Sequence, residues 1–113
     1  MVKKAYIPRR GDIVWLNFTP QKGHEQRGKR PAIVLSPESY NSKVGLAVFC
    51  PITSKEKGYP FEVKITSKKI EGCVLSDQVK SLDWNSREIK HIERADKEVV
   101  SEVLSKLNTL VTE

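Results

Sequence analysis

The sequence is poor in the residues that metal and redox chemistry require. Its 113 residues hold two cysteines, two histidines and one methionine. Cys50, Cys73, His24 and His91 show neither C-x-x-C nor H-x-x-x-H spacing, so a metal site would have to be assembled from scattered loops, and none is expected. No G-x-x-x-x-G-K-[ST] or G-x-G-x-x-G run occurs, which removes motif support for a nucleotide cofactor. G-x-S-x-G is also absent, and two histidines in unrelated contexts make no triad, so ordinary hydrolases drop out. No apolar stretch approaches the ~18 residues of a membrane span, and the N-terminus lacks a signal-peptide core. These absences lead to the expectation of a cytoplasmic protein without a membrane partner, its two cysteines buried as free thiols. There is no internal repeat and no Ser/Gly linker. The length suits one domain, 1–113, burying roughly 65% of its extended-chain surface without disulfides.

Charge is what the chain does have, and its placement is uneven. Residues 1–30 carry Lys3, Lys4, Arg9, Arg10, Lys22, Arg27, Lys29 and Arg30 against Asp12 and Glu25, so the whole net charge of +6 sits in that first quarter. The remainder is neutral. Such a bias fits a face that meets a polyanion or an acidic peptide, and it equally fits a solubilising surface.

The first two thirds of the chain read as short strands separated by dense turn signals. Asp12 to Phe18 is rich in Val, Ile and aromatics and ends before Pro20. Gln21 to Lys29 has no large apolar residue and reads as an exposed loop. Pro31 to Ser36 and Leu46 to Thr53 are apolar almost throughout, as strands buried on both faces are, and pair across a short helical connection at 37–43. Lys55 to Pro60 makes a turn; Phe61 to Ile65 alternates apolar and charged residues; Cys73 to Leu75 with Val79 supplies one or two more strands. From Asp96, a suitable N-cap, apolar residues recur at Val99, Val100, Val103, Leu104, Leu107, Leu110 and Val111, within an arc of roughly 140° on a helix. The expected fold is mainly β with a C-terminal helix packed on it, a small SH3-like barrel or twisted antiparallel sheet.

Lys22-Gly23-His24-Glu25-Gln26-Arg27-Gly28-Lys29-Arg30-Pro31 gathers an acid, an imidazole, four cations and two glycines in ten residues. Glycines let backbone approach a ligand, arginine forks match phosphate oxygens, and Glu25 or His24 could move a proton; a solvated charged loop has the same composition. Arg30 is the last cation before an apolar strand, so packing should hold its stem while its head points at whatever occupies the loop's concave side. Thr53 stands at a strand end as well. Two polar residues at strand ends are able to converge on one pocket.

Several blocks, in this order, resemble the MazF/PemK toxins. They are Arg10-Gly-Asp-Ile-Val-Trp, Gly23-x-Glu-Gln-x-Gly-x-Arg-Pro-Ala, Val34-Leu-Ser-Pro with Tyr40-Asn41, Lys57-Gly-Tyr-Pro-Phe-Glu-Val and Asp77-Gln-Val-Lys-Ser, and they cover nearly the whole chain. The resemblance implies a homodimeric toxin of a type II toxin–antitoxin system, a sequence-selective endoribonuclease that cuts single-stranded RNA without metal or cofactor. Carried onto matching positions, Arg30 and Thr53 are the catalytic pair and Glu25 assists. Asn17 and Ser54 depart from the pattern of many members, outside those catalytic positions.

The chemistry implied is attack by a ribose 2′-hydroxyl on the adjacent phosphorus, giving 2′,3′-cyclic phosphate and 5′-hydroxyl ends. Arg30 would hold the non-bridging oxygens and Thr53 would donate to the same phosphate. Glu25 or His24 is a better base than a guanidinium, which does not release its proton. Lys22, His24, Gln26, Arg27, Lys29 and Lys57 would contact the RNA and Gln78 a base edge. The family also implies an acidic, MazE-like antitoxin as partner. The alternative is a non-catalytic binding toxin or adaptor of the same fold, such as a gyrase poison.

Overall fold

The structure, a computed structural model, describes residues 6–18 and 28–112. Its elements are β1 (Asp12–Asn17), β2 (Lys29–Val34), α1 (Glu38–Val44), β3 (Leu46–Thr53), β4 (Glu62–Thr66), β5 (Glu71–Leu75), β6 (Lys80–Asp83), β7 (Lys90–Arg94) and α2 (Lys97–Val111). The strands form one curled sheet in the order β4-β5-β3-β2-β1-β7, with β6 joined to β3. Every ladder is antiparallel. The expected mainly β fold with a C-terminal helix is what forms.

β3 is the hub because its Leu46-Ala-Val-Phe-Cys-Pro-Ile run has apolar side chains to bury on both faces. Phe49 is paired on both sides, to Val34 of β2 and to Lys80 of β6, while Ile52 and Thr53 pair with Val74 and Cys73 of β5. Alternation along the strands then sorts the core in two. Ile13, Ile33, Cys50, Ile52, Val63 and Val74 share one face, over which Val99, Val100, Val103, Leu104 and Leu107 of α2 pack. Val14, Leu16, Ala32, Val34, Ala47 and Phe49 share the other, closed by Phe18 and Trp84 with Tyr6, Ile7, Leu82 and Ile89 around them. Both cysteines are buried free thiols.

Two buried polar residues tie the loops to this frame. Asn41 of α1, fully buried, donates its amide to the carbonyls of Pro8 (2.8 Å) and Ser36 (3.1 Å) and accepts from Trp84 Nε1 through its own carbonyl (3.1 Å). Asp12, equally buried, accepts from the Tyr6 hydroxyl, the Arg9 amide (3.1 Å) and Arg94 Nη1 (3.2 Å), binding the N-terminal segment to β1 and β7. Neither polar group is left unpaired, as burial demands.

Three details differ from the sequence expectation. β2 begins at Lys29, so Arg30 lies inside the strand rather than ahead of it. β7 was not foreseen, since Lys90-His-Ile-Glu-Arg offers Ile92 as its one apolar residue; it forms because β1 has a free edge there. The apolar arc of α2 outruns the sheet, leaving Leu110 50% and Val111 71% exposed.

Candidate functional site

The end of β3 and the start of β2 lie side by side. The ladder between them runs Val34↔Phe49, Ile33↔Cys50, Ala32↔Pro51 and ends there, with Arg30 and Thr53 each two residues beyond its last pair, Arg30 held by Leu16 of β1 and Thr53 by Cys73 of β5. Strand alternation puts both on the face of Leu16, Ala32 and Phe49, since Leu16 is Arg30's partner across β1. The core therefore anchors the two stems from one face of the sheet. Arg30 is exposed and Thr53 half-buried.

Beyond Thr53 the chain turns back to β4 and encloses a polar cavity of about 170 Å³. It is lined by Thr53, Lys55, Lys57, Tyr59, Glu62, Leu75 and Gln78. Thr53 Oγ1 accepts the Lys55 amide at 3.1 Å, which fixes its rotamer without using the hydroxyl proton. That proton remains to be donated. The Glu62 carboxylate accepts the amides of Lys57 (2.9 Å) and Gly58 (2.8 Å), curling the turn around itself. Gly58 has φ 82°, a left-handed conformation that a side chain would strain.

On the far wall, Tyr59 donates its hydroxyl to Asp77 Oδ1 at 2.7 Å, and partial burial with that neighbouring carboxylate pushes the phenol up to about 12. Tyr59 thus stays protonated, an apolar ring with a polar tip on the cavity wall. The Gln78 amide donates to the Leu75 carbonyl (3.1 Å), which turns the chain from β5 and sets the Gln78 side chain against the cavity.

Of the sequence candidates, then, Thr53, Lys57 and Gln78 share one cavity, and Arg30, on β2, is not among its lining residues. Lys29 lies beside Arg30 and pairs with Glu88 at 3.6 Å, both side chains well exposed. Lys22, His24, Glu25, Gln26 and Arg27 fall outside the described residues. Phe18 and Gly28, the described residues on either side, are joined by the Phe18 amide on the Gly28 carbonyl (2.9 Å). Tyr59, Glu62 and Lys55 complete the cavity and were not singled out from sequence as site residues; the Lys57-Gly-Tyr-Pro-Phe-Glu block that contains the first two was the signal.

The arrangement offers a hydroxyl, ammonium groups and an amide around one polar hollow, a set suited to a phosphate and the base beside it. Among the described residues no group of three or more His, Cys, Asp and Glu side chains is placed to hold a metal ion.

Comparison with known proteins places this geometry. A family model described as PemK-like, MazF-like toxin of type II toxin-antitoxin system matches residues 9–111. The chain belongs to that toxin family. Among the toxins it is similar to, the "Endoribonuclease toxin MazF" of Escherichia coli K12 is 42% identical over 106 residues, covering 94% of this chain and 96% of the relative. The "Endoribonuclease toxin ChpB" of the same organism is 38% identical over 117 residues, covering 98% and 99%. The crystal structure of MazF from Deinococcus radiodurans superposes with a TM-score of 0.91 at 51% identity, covering 95% of this chain and 98% of that one. MazF in a MazE-MazF complex from that organism gives 0.84 at 44% identity, covering 95% and 97%.

Proposed function

We propose that this toxin is an endoribonuclease that cleaves single-stranded RNA by internal attack. The ribose 2′-oxygen bonds to phosphorus, the bond from phosphorus to the 5′-oxygen breaks, and the products carry a 2′,3′-cyclic phosphate and a 5′-hydroxyl. The 2′-hydroxyl proton passes to Glu25 or His24, and the departing 5′-oxygen takes a proton from solvent water to become the 5′-hydroxyl. Arg30 binds the non-bridging oxygens as charge builds on them, Thr53 donates to the same phosphate, and Lys22, Gln26, Arg27, Lys29 and Lys57 follow the RNA strand. Gln78, an amide on the cavity wall, reads a base edge. The attacking group belongs to the substrate, so the reaction needs neither metal nor cofactor.

The observation that carries this reading is the polar cavity that gathers Thr53, Lys57 and Gln78, with Arg30 on β2, the strand paired with the one that carries Thr53. The endoribonuclease names of relatives at 42% and 38% identity support it. We infer also that the single domain, 1–113, acts as a cytoplasmic homodimer held in check by an acidic antitoxin. The solved MazE-MazF complexes of a related toxin support the antitoxin, and the +6 charge concentrated in residues 1–30 suits an acidic segment. No helix among the described residues is long and apolar enough to cross a membrane. Apolar side chains left exposed at Tyr40, Val44, Leu110 and Val111 support self-association, which light scattering of the purified toxin would report as twice the chain mass.

The test of function is end-mapping of products from a long mixed-sequence RNA digested in excess EDTA. Cuts at a recurring short sequence, with cyclic phosphate on one side and 5′-hydroxyl on the other, are expected. A strict need for Mg²⁺ would overturn the metal-free mechanism, and RNA left intact while the protein still binds it would favour the non-catalytic binding toxin instead.

A further inference from the structure

The turn between β3 and β4 supplies Lys55, Lys57, Tyr59 and Glu62 to the cavity, and it is held from two directions. From within, the Glu62 carboxylate accepts the Lys57 and Gly58 amides. From outside, α2 reaches it through one side chain: Lys106 Nζ donates to the carbonyls of Pro60 (2.6 Å) and Glu62 (3.0 Å). Those two carbonyls flank Phe61, at the point where the turn becomes β4. Glu102, one helical turn back, lies 3.7 Å from the same ammonium. Lys106 itself is fixed because Val103 and Leu107, on either side of it, are packed into the core.

From this we propose that Lys106 is a positioning residue for RNA binding, the link by which the C-terminal helix sets the wall of the substrate cavity. An ammonium with three donors suits such a link, since two protons go to backbone carbonyls and the third faces a carboxylate. The bonds are charge-assisted and partly shielded from water, so they hold more firmly than neutral ones. Lys57 and Tyr59, three residues and one residue ahead of Pro60, then present their side chains to RNA from a backbone already shaped, and the ordering entropy is not lost at binding. The backbones of Arg30 and Thr53 are held in the sheet, by Leu16 of β1 and Cys73 of β5, rather than by this link. Loss of Lys106 should therefore weaken substrate binding more than it slows the chemical step. The inference rests on the endoribonuclease reading for its substrate, and on the hydrogen bonds alone for its mechanics.

The test compares wild type, Lys106→Met and Lys106→Arg on an RNA oligonucleotide carrying the mapped cut site, with exchange of the 55–59 amides followed by mass spectrometry. Lys106→Met should raise KM about tenfold with kcat within about twofold, because a uniform binding contribution is lost. Its 55–59 amides should exchange faster, and trypsin should nick the native protein more quickly after Lys55 or Lys57. Lys106→Arg, whose fork has donors for both carbonyls, should restore KM and protection. A wild-type KM in Lys106→Met, unaltered exchange in the turn, or a lowered melting temperature with both kinetic constants unchanged would overturn the proposal. If wild type cleaves no RNA, the functional reading fails, and the exchange measurement still decides whether Lys106 holds the turn.

Discussion

Gly72→Ala tests whether the position of Thr53 matters to within an ångström. Gly72 lies in β5, next to the residue that pairs with Thr53. A Cβ built there would stand 2.3 Å from the Thr53 carbonyl oxygen, 3.0 Å from its carbonyl carbon and 3.5 Å from Ser54 Cα, whereas ordinary contact begins at 3.4 Å. The obstructing atoms are backbone, so no flexible side chain can swing aside, and the β3 end must move by about 1 Å. Overpacking of this kind costs about 1–3 kcal/mol, and each kcal/mol lowers Tm by about 4–8 °C in a domain of this size. A 1 Å misplacement of a group that binds the reacting phosphate costs about 10²-fold in rate. The assay is single-turnover cleavage well below the variant's Tm, beside Ile65→Val, which loses about 1 kcal/mol through a small core cavity without pressing on Thr53. We expect Gly72→Ala to be slowed about a hundredfold and Ile65→Val to cut at nearly the wild-type rate. Equal rates for the two variants would refute the reasoning.

Thr53→Val keeps the shape and deletes the hydroxyl; we predict a rate loss of about 10²-fold with no more than about 1 kcal/mol of stability, that of the lost bond from the Lys55 amide. A fully active variant would remove Thr53 from the site. Arg30→Lys retains the charge and loses the fork, so cleavage should fall by about 10²- to 10³-fold while the salt dependence of RNA binding stays steep; unimpaired turnover would show that the guanidinium geometry is not used. Burial, with the nearby Asp77 charge adding to it, pushes the Cys50 thiol up to about 12, and burial with the Glu56 hydrogen bond raises Cys73. At pH 8 the Cys50 thiolate fraction is about 10⁻⁴, so a disulfide reagent should leave Cys50 unlabelled until the protein is unfolded. Because the folded pKa of Cys50 lies above its unfolded value of 9.0, its contribution to stability is intact below pH 9 and is lost as pH rises toward 12. Rapid native labelling at pH 8 would contradict the burial.

How much of this was legible in the sequence varies with how local the cause is. β3 could be read residue for residue, because eight apolar or β-branched residues between Gly45 and a polar turn have no other use. The helix α2 was legible from its 3.6-residue period and Asp96, but not how far the sheet beneath it extends, so Leu110 and Val111 were read as covered when they are exposed. β7 was illegible because a polar pentapeptide becomes a strand only where Val14 and Trp15 supply an edge to pair with. At the site, the polarity of Thr53 at a strand end was legible, whereas the cavity it shares with Lys57 and Gln78 is a tertiary fact. The Lys106 contacts span 44 and 46 residues, a separation over which no sequence pattern carries information.

The sharpest check on the shared phosphate site is a crystal structure of the toxin bound to an RNA whose cut site, once mapped, carries a single 2′-deoxy nucleotide in place of the attacking group. The oligonucleotide should remain intact, with non-bridging oxygens of its scissile phosphate about 3 Å from both the Arg30 guanidinium and Thr53 Oγ1. Cleavage of that RNA, or a scissile phosphate touched by neither residue, would contradict the mechanism.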